Sequence, residues 1–99
     1  QIVLEIDDDI PLNVLFLNDI FPNPANIYAN IEIAVSEEEI VKVTLYSNTG
    51  KVVDSYIKKL GKVLNRVSIS TTAISNGIYY VNIEFENNFL ITKKFISVN

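Results

Sequence analysis

The sequence predicts an all-β fold, an immunoglobulin-like antiparallel β-sandwich of about seven or eight strands. Three observations carry that expectation. Apolar and polar residues alternate with a period of two along much of the chain, as they do in strands that lay one face on a core. Turn signals built on Gly, Asn and Pro recur about every 8–12 residues, too closely for helices to intervene. At 99 residues, with 48% apolar and 20% charged, the chain is long enough for one core and one domain.

Ile2, Leu4 and Ile6 alternate with Val3 and Glu5 and read as a first strand, which Asp7-Asp8-Asp9 ends as a solvated turn. Those three carboxylates lack the spacing and ligand number of a calcium loop. Ile10 to Leu17 is apolar on both faces; it reads as a strand, although Asp9 and Pro11 also resemble a helix start. Phe21-Pro22-Asn23-Pro24-Ala25 must be extended or turning, because two prolines fix φ and withhold two donors. Ala29, Ile31, Ile33 and Val35 then share one face of a strand. Val41, Val43 and Leu45 share one face of the next, opposite Lys42, Thr44 and Tyr46. Ser47-Asn48-Thr49-Gly50 closes a hairpin, with Gly50 as the left-handed residue after a type I turn. The return strand runs from Val52 to about Lys59 and places Tyr56, like Tyr46 and Tyr80, on the outward side. Gly61 marks a turn, and Asn65, Val67 and Ile69 form the following strand. Thr71 to Ser75 reads as a helical turn crossing between sheets.

The last hairpin is decided by register. Asn76-Gly77 opens it, and Tyr79, Val81, Ile83 and Phe85 form an apolar face. A two-residue loop at Asn87-Asn88 would put Thr92 and Lys94 opposite that face. A three-residue loop, Glu86 to Asn88, pairs Ile83 with Ile91 and Tyr79 with Phe95, leaving Lys93 as the one conflict. A bulge at Lys93-Lys94 or an edge position would relieve it. Tyr79, at the head of a core strand just after a turn, is a candidate tyrosine corner.

Composition narrows the chemistry. The absence of Cys excludes disulfides, thiolate metal sites and thiol nucleophiles, and the absence of His removes the commonest acid–base group. No enzyme, cofactor or metal centre is expected. Apolar runs such as Val14–Leu17 fall far short of the about 20 residues that span a bilayer, so membrane insertion is not expected. No Lys or Arg precedes that run, so it is not a signal peptide, and an opening on Gln1 reads as a fragment of a longer polypeptide. The net charge of −4 is asymmetric: residues 1–39 hold nine acidic residues and no basic ones, whereas all eight Lys and Arg follow. That basic half is too dilute for nucleic acid.

Four stretches together resemble the C-terminal sorting domain of the type IX secretion system of Bacteroidetes (type A, the Por secretion tail family). They are Phe21-Pro22-Asn23-Pro24-Ala25; Val43 to Val53, in which Ser47 stands where the family often has Asp; Ile74 to Ile83; and the ending Thr92-Lys93-Lys94-Phe95-Ile96. Their order, spacing and position agree over about residues 20–99. The resemblance implies a non-catalytic address label on a covalently joined N-terminal cargo domain. It implies handling by type IX translocon and shuttle proteins, passage through the periplasm, removal by a sortase and a final place at the cell surface or outside the cell. Residues 20–99 would be the sorting domain, and 1–19 a linker or an N-terminal strand from the cargo side. Lys93, Lys94 and Phe95 are the candidates for translocon recognition. Pro22, Asn23, Pro24, Gly50, Gly77 and Tyr79 match the family in positions that serve the fold. The alternative is a carbohydrate-binding or adhesion module of a surface protein, with Tyr46, Tyr56 and Tyr80 as the sugar platform.

Overall fold

The computed structural model describes residues 14–98; the strand expected at Ile2–Ile6, the turn at Asp7–Asp9 and the start of the Ile10–Leu17 segment lie outside the described residues. Seven strands follow: β1 (Val14–Leu17), β2 (Tyr28–Val35), β3 (Glu39–Ser47), β4 (Val52–Leu60), β5 (Val63–Ser70), β6 (Gly77–Phe85) and β7 (Leu90–Ser97). They form two antiparallel sheets, ordered β1-β2-β5 and β4-β3-β6-β7. The sandwich expected from period-two patterning is therefore the observed fold.

The inner faces are the ones the alternation marked. Ile31, Ile33 and Val35 of β2 and Val67 and Ile69 of β5 meet Val41, Val43 and Leu45 of β3 and Tyr79, Val81, Ile83 and Phe85 of β6 in one buried cluster. Burying each such side chain contributes about 1.5–3 kcal/mol before entropy is charged against it, which explains why a small domain without cross-links holds together.

Both tight hairpins follow their sequence signals. Ser47 and Lys51 close the first loop through Ser47 N–H to Lys51 O at 2.8 Å, with Gly50 at φ +87°. Phe85 and Phe89 close the second through Phe85 N–H to Phe89 O at 2.8 Å, with Asn88 taking the left-handed position at φ +71°. The three-residue loop gives the predicted register, Ile83 opposite Ile91 and Tyr79 opposite Phe95.

Elsewhere the structure corrects local expectations. Tyr56 is on the inward side of β4, opposite the buried Val43, because the register shifts between Leu45 and Tyr46 of β3 and moves the frame of the strand by one. Its ring packs on the core edge. Thr71–Ser75 forms a turn rather than a helix, in which Ile74 N–H donates to Thr71 O at 3.4 Å and Thr71 N–H donates to Ile27 O at 2.8 Å. At 76–77 only Gly77 takes a positive φ.

Candidate functional site

Among the described residues β7 is the border strand of the four-stranded sheet, with β6 its one neighbour in that sheet. Its register against β6 runs from Gly77↔Ser97 to Glu84↔Leu90 without a shift, so the bulge considered for Lys93-Lys94 is absent and the edge position is the actual relief. Ile96 turns its N–H and C=O away from β6, where Asn23 and Ala25 receive them. By the two-residue period, Lys94, Thr92 and Leu90 aim their backbone groups the same way.

Lys93 shares the inward parity of Ile91 and Phe95, yet its side chain keeps 25% of its surface exposed. It reaches past the rim of the core, and its Nζ donates to Asp19 Oδ1 at 2.7 Å. That hydrogen bond, followed by the charge of the same ammonium, lowers the Asp19 pKa below the ordinary carboxylate value. Asp19 was not legible as a partner: 74 residues separate the two, and only the misplaced lysine signalled that a counter-charge was needed. Lys94, on the outer face beside Tyr80, is exposed and forms no ion pair among the described residues. Phe95 must be removed from the recognition group. It is fully buried and stacks on Tyr79 with ring centroids 5.8 Å apart, so the folded domain presents it to no partner.

The stretch from Asn18 to Ala25 is a strap between the two sheets. At its start Asn18 Oδ1 accepts from Glu32 N–H at 2.8 Å, and Phe21 exchanges two 2.9 Å backbone bonds with Asn30. The Arg66 guanidinium lies 5.4 Å from the Phe21 ring centroid while pairing with Glu32 at 3.0 Å. At its end Asn23 Oδ1 accepts from Ile96 N–H at 3.0 Å, Ala25 N–H donates to Ile96 O at 2.7 Å, and Val98 N–H donates to Ala25 O at 2.8 Å. Pro22 and Pro24 have no N–H to give, so the strap cannot continue as a full strand. It covers the last residues of β7, and among the described residues no backbone partner covers the outer edge of Leu90–Lys94.

The remaining family-motif residues sit at turns. A residue with a Cβ at Gly77, φ +152°, would adopt a conformation that L side chains rarely take. Directly after it, Tyr79 Oη donates to the Ser75 carbonyl at 2.7 Å, the geometry of a tyrosine corner. In the Ser47 hairpin the hydroxyl accepts from Lys51 N–H at 3.2 Å, so Ser fills the turn position where a carboxylate is common.

The described residues thus form a small antiparallel β-sandwich whose β7 border has an unshifted register and is partly covered by the strap. The family model described as "Secretion system C-terminal sorting domain" matches residues 19–99, and the chain belongs to that family. It thus carries a type IX C-terminal sorting signal, which implies joining to an N-terminal cargo, handling by type IX machinery and export to the cell surface or extracellular space. No curated protein matches the chain. Among solved structures, the CARDB domain of the PF1109 protein from Pyrococcus furiosus, crystallised in complex with di-metal ions, is similar at 20% identity and a TM-score of 0.46, over 96% of this chain and 100% of that one.

Proposed function

We propose that residues 20–99 are a non-catalytic address label read in the folded state by type IX translocon and shuttle proteins, after the cargo has entered the periplasm. A sortase then cuts within residues 1–19 and leaves the cargo at the cell surface. The family match over residues 19–99 carries this reading. Recognition falls to β7, with Lys93 paired to Asp19 and Lys94 without an ion pair among the described residues.

The experiment is export of a reporter fused to residues 1–99 from a cell with type IX machinery. Wild type should reach the surface, and reversal of charge at Lys93 and Lys94 should abolish export while the purified domain still melts cooperatively. Retention of the wild-type fusion in the periplasm would sink the address-label reading.

A second reading is supported by one observation. Tyr46 and Tyr80 are direct cross-strand neighbours on the outer face, with Lys94 next in the row, an arrangement suited to stacking on a sugar ring. Tyr56, on the opposite side of the sheet, takes no part. Specific binding on a glycan panel, lost in Tyr80→Ala, would favour the carbohydrate-binding module.

A further inference from the structure

The stretch Leu90–Lys94, open among the described residues, has the features of a docking edge, and the other border of the same sheet does not. β4 begins with a register shift, which twists an edge out of plane, and Lys58 points inward opposite Val41. A bulge and an inward lysine are both devices that stop edge-to-edge pairing. β7 has no bulge. Its inward lysine is held by Asp19, so the charge that would repel an arriving strand is already neutralised. What faces outward is the backbone of Leu90, Thr92 and Lys94 and the ammonium of Lys94, which has no ion-pair partner among the described residues. The strap ends this window, because Asn23 and Ala25 occupy the positions beyond Lys94.

We propose that Leu90–Lys94 is a strand-addition site for an extended acidic segment of a partner, hydrogen-bonded backbone to backbone, with a carboxylate facing Lys94. The window of about 17 Å, five residues at ~3.4 Å each, admits a short strand only. The strap acts as the stop that sets its register, since a docked strand cannot slide past Asn23. The inference rests on the sorting reading for its biological partner and on the edge geometry for its chemistry.

Two measurements separate those supports. In the fused-reporter assay, Thr92→Pro removes one outward N–H and leaves the β6 ladder intact, because the N–H groups of Ile91 and Lys93 are the ones that face β6. Export should fall at least about tenfold while the thermal midpoint moves by no more than about 5 °C. Lys94→Glu should lose export to a similar degree, and Lys59→Glu on β4 should export like wild type. Wild-type export by both Thr92→Pro and Lys94→Glu overturns the proposal and leaves the sorting reading standing. Should Thr92→Pro fail to fold, Lys94→Glu decides alone. Independently, NMR titration of the chain with a synthetic Glu-Val repeat peptide should shift the amides of Leu90, Thr92 and Lys94, and a Lys-Val repeat should not. Equal shifts with both peptides, or shifts elsewhere, overturn the site. A dimer that Thr92→Pro dissolves would assign the edge to a second copy and also overturn it. Peptide binding without export of the wild-type fusion would retain the site and discard the sorting reading.

Discussion

Tyr79→Phe removes one atom from the tyrosine corner and keeps everything else. The ring stays buried and stacked on Phe95, so no cavity opens. What is lost is the 2.7 Å bond from the hydroxyl to the Ser75 carbonyl and the 3.2 Å contact with Ser75 Oγ. A net hydrogen bond of this kind is worth about 0.5–1.5 kcal/mol, and up to about 3 when the abandoned group stays dry. Ser75 is exposed, so water reaches its carbonyl once the hydroxyl is gone. The upper range therefore does not apply, and the expected loss is about 1–1.5 kcal/mol. For a domain of this size that lowers the thermal midpoint by roughly 5–10 °C. Urea unfolding followed by circular dichroism should show a lower midpoint with an unchanged slope. Tyr28→Phe, at a side chain 52% exposed, is the control and should stay within about 0.5 kcal/mol of wild type. A Tyr79→Phe domain as stable as that control would refute the corner as the element that ties the β5–β6 crossing to the core.

Asn23→Ala should cost about 1 kcal/mol and speed hydrogen exchange at the Ile96 amide, whose acceptor it removes; unchanged protection there would mean the strap does not depend on that side chain. Val63 sits at φ +71°, a strained place for a β-branched residue, and its side chain is 63% exposed. Val63→Asn should therefore stabilise by about 1 kcal/mol, read as a higher urea midpoint, and a lower midpoint would contradict the strain argument. Asp19 has a lowered folded-state pKa, so its contribution is present above the unfolded value of about 3.9 and is lost as pH falls through the folded value. Melting curves of wild type and Asp19→Asn should accordingly differ at neutral pH and converge as pH drops below about 4; a constant gap across that window would exclude the Lys93 pair as its source.

Much of this architecture was legible because strand faces are written locally. A one-residue slip flips every side chain, so Ile83, Ile91, Tyr79 and Phe95 together decide the last hairpin, and the structure has that register. Gly50 marked its turn for the same local reason. What escaped was written non-locally or by irregularity. The register shift in β3–β4 reversed the side of Tyr56, and no residue type near Leu45 announces it. The Asp19 partner of Lys93 arrives from the far end of the chain. The role of Asn23 was hidden similarly: an Asn between prolines reads as a turn, and only the fold shows its amide sealing the end of β7. Asn65 is another such case, its side chain accepting from Gly61 N–H and donating to Gly61 O to brace the crossing from β4 to β5.

The strap has a mechanical corollary. Ala25 and Ser97 lie side by side on segments that run in the same direction, one near each end of the described chain. Traction applied to the two ends in opposite senses would slide those segments past one another. The bonds at Ile96 and Val98 would then stretch together instead of opening one after another like a zip. Load entering from the C-terminal side therefore meets these bonds to the Pro-Asn-Pro strap before it reaches the hydrophobic interior, whereas load from the other side meets the pairing of β1 with β2 first.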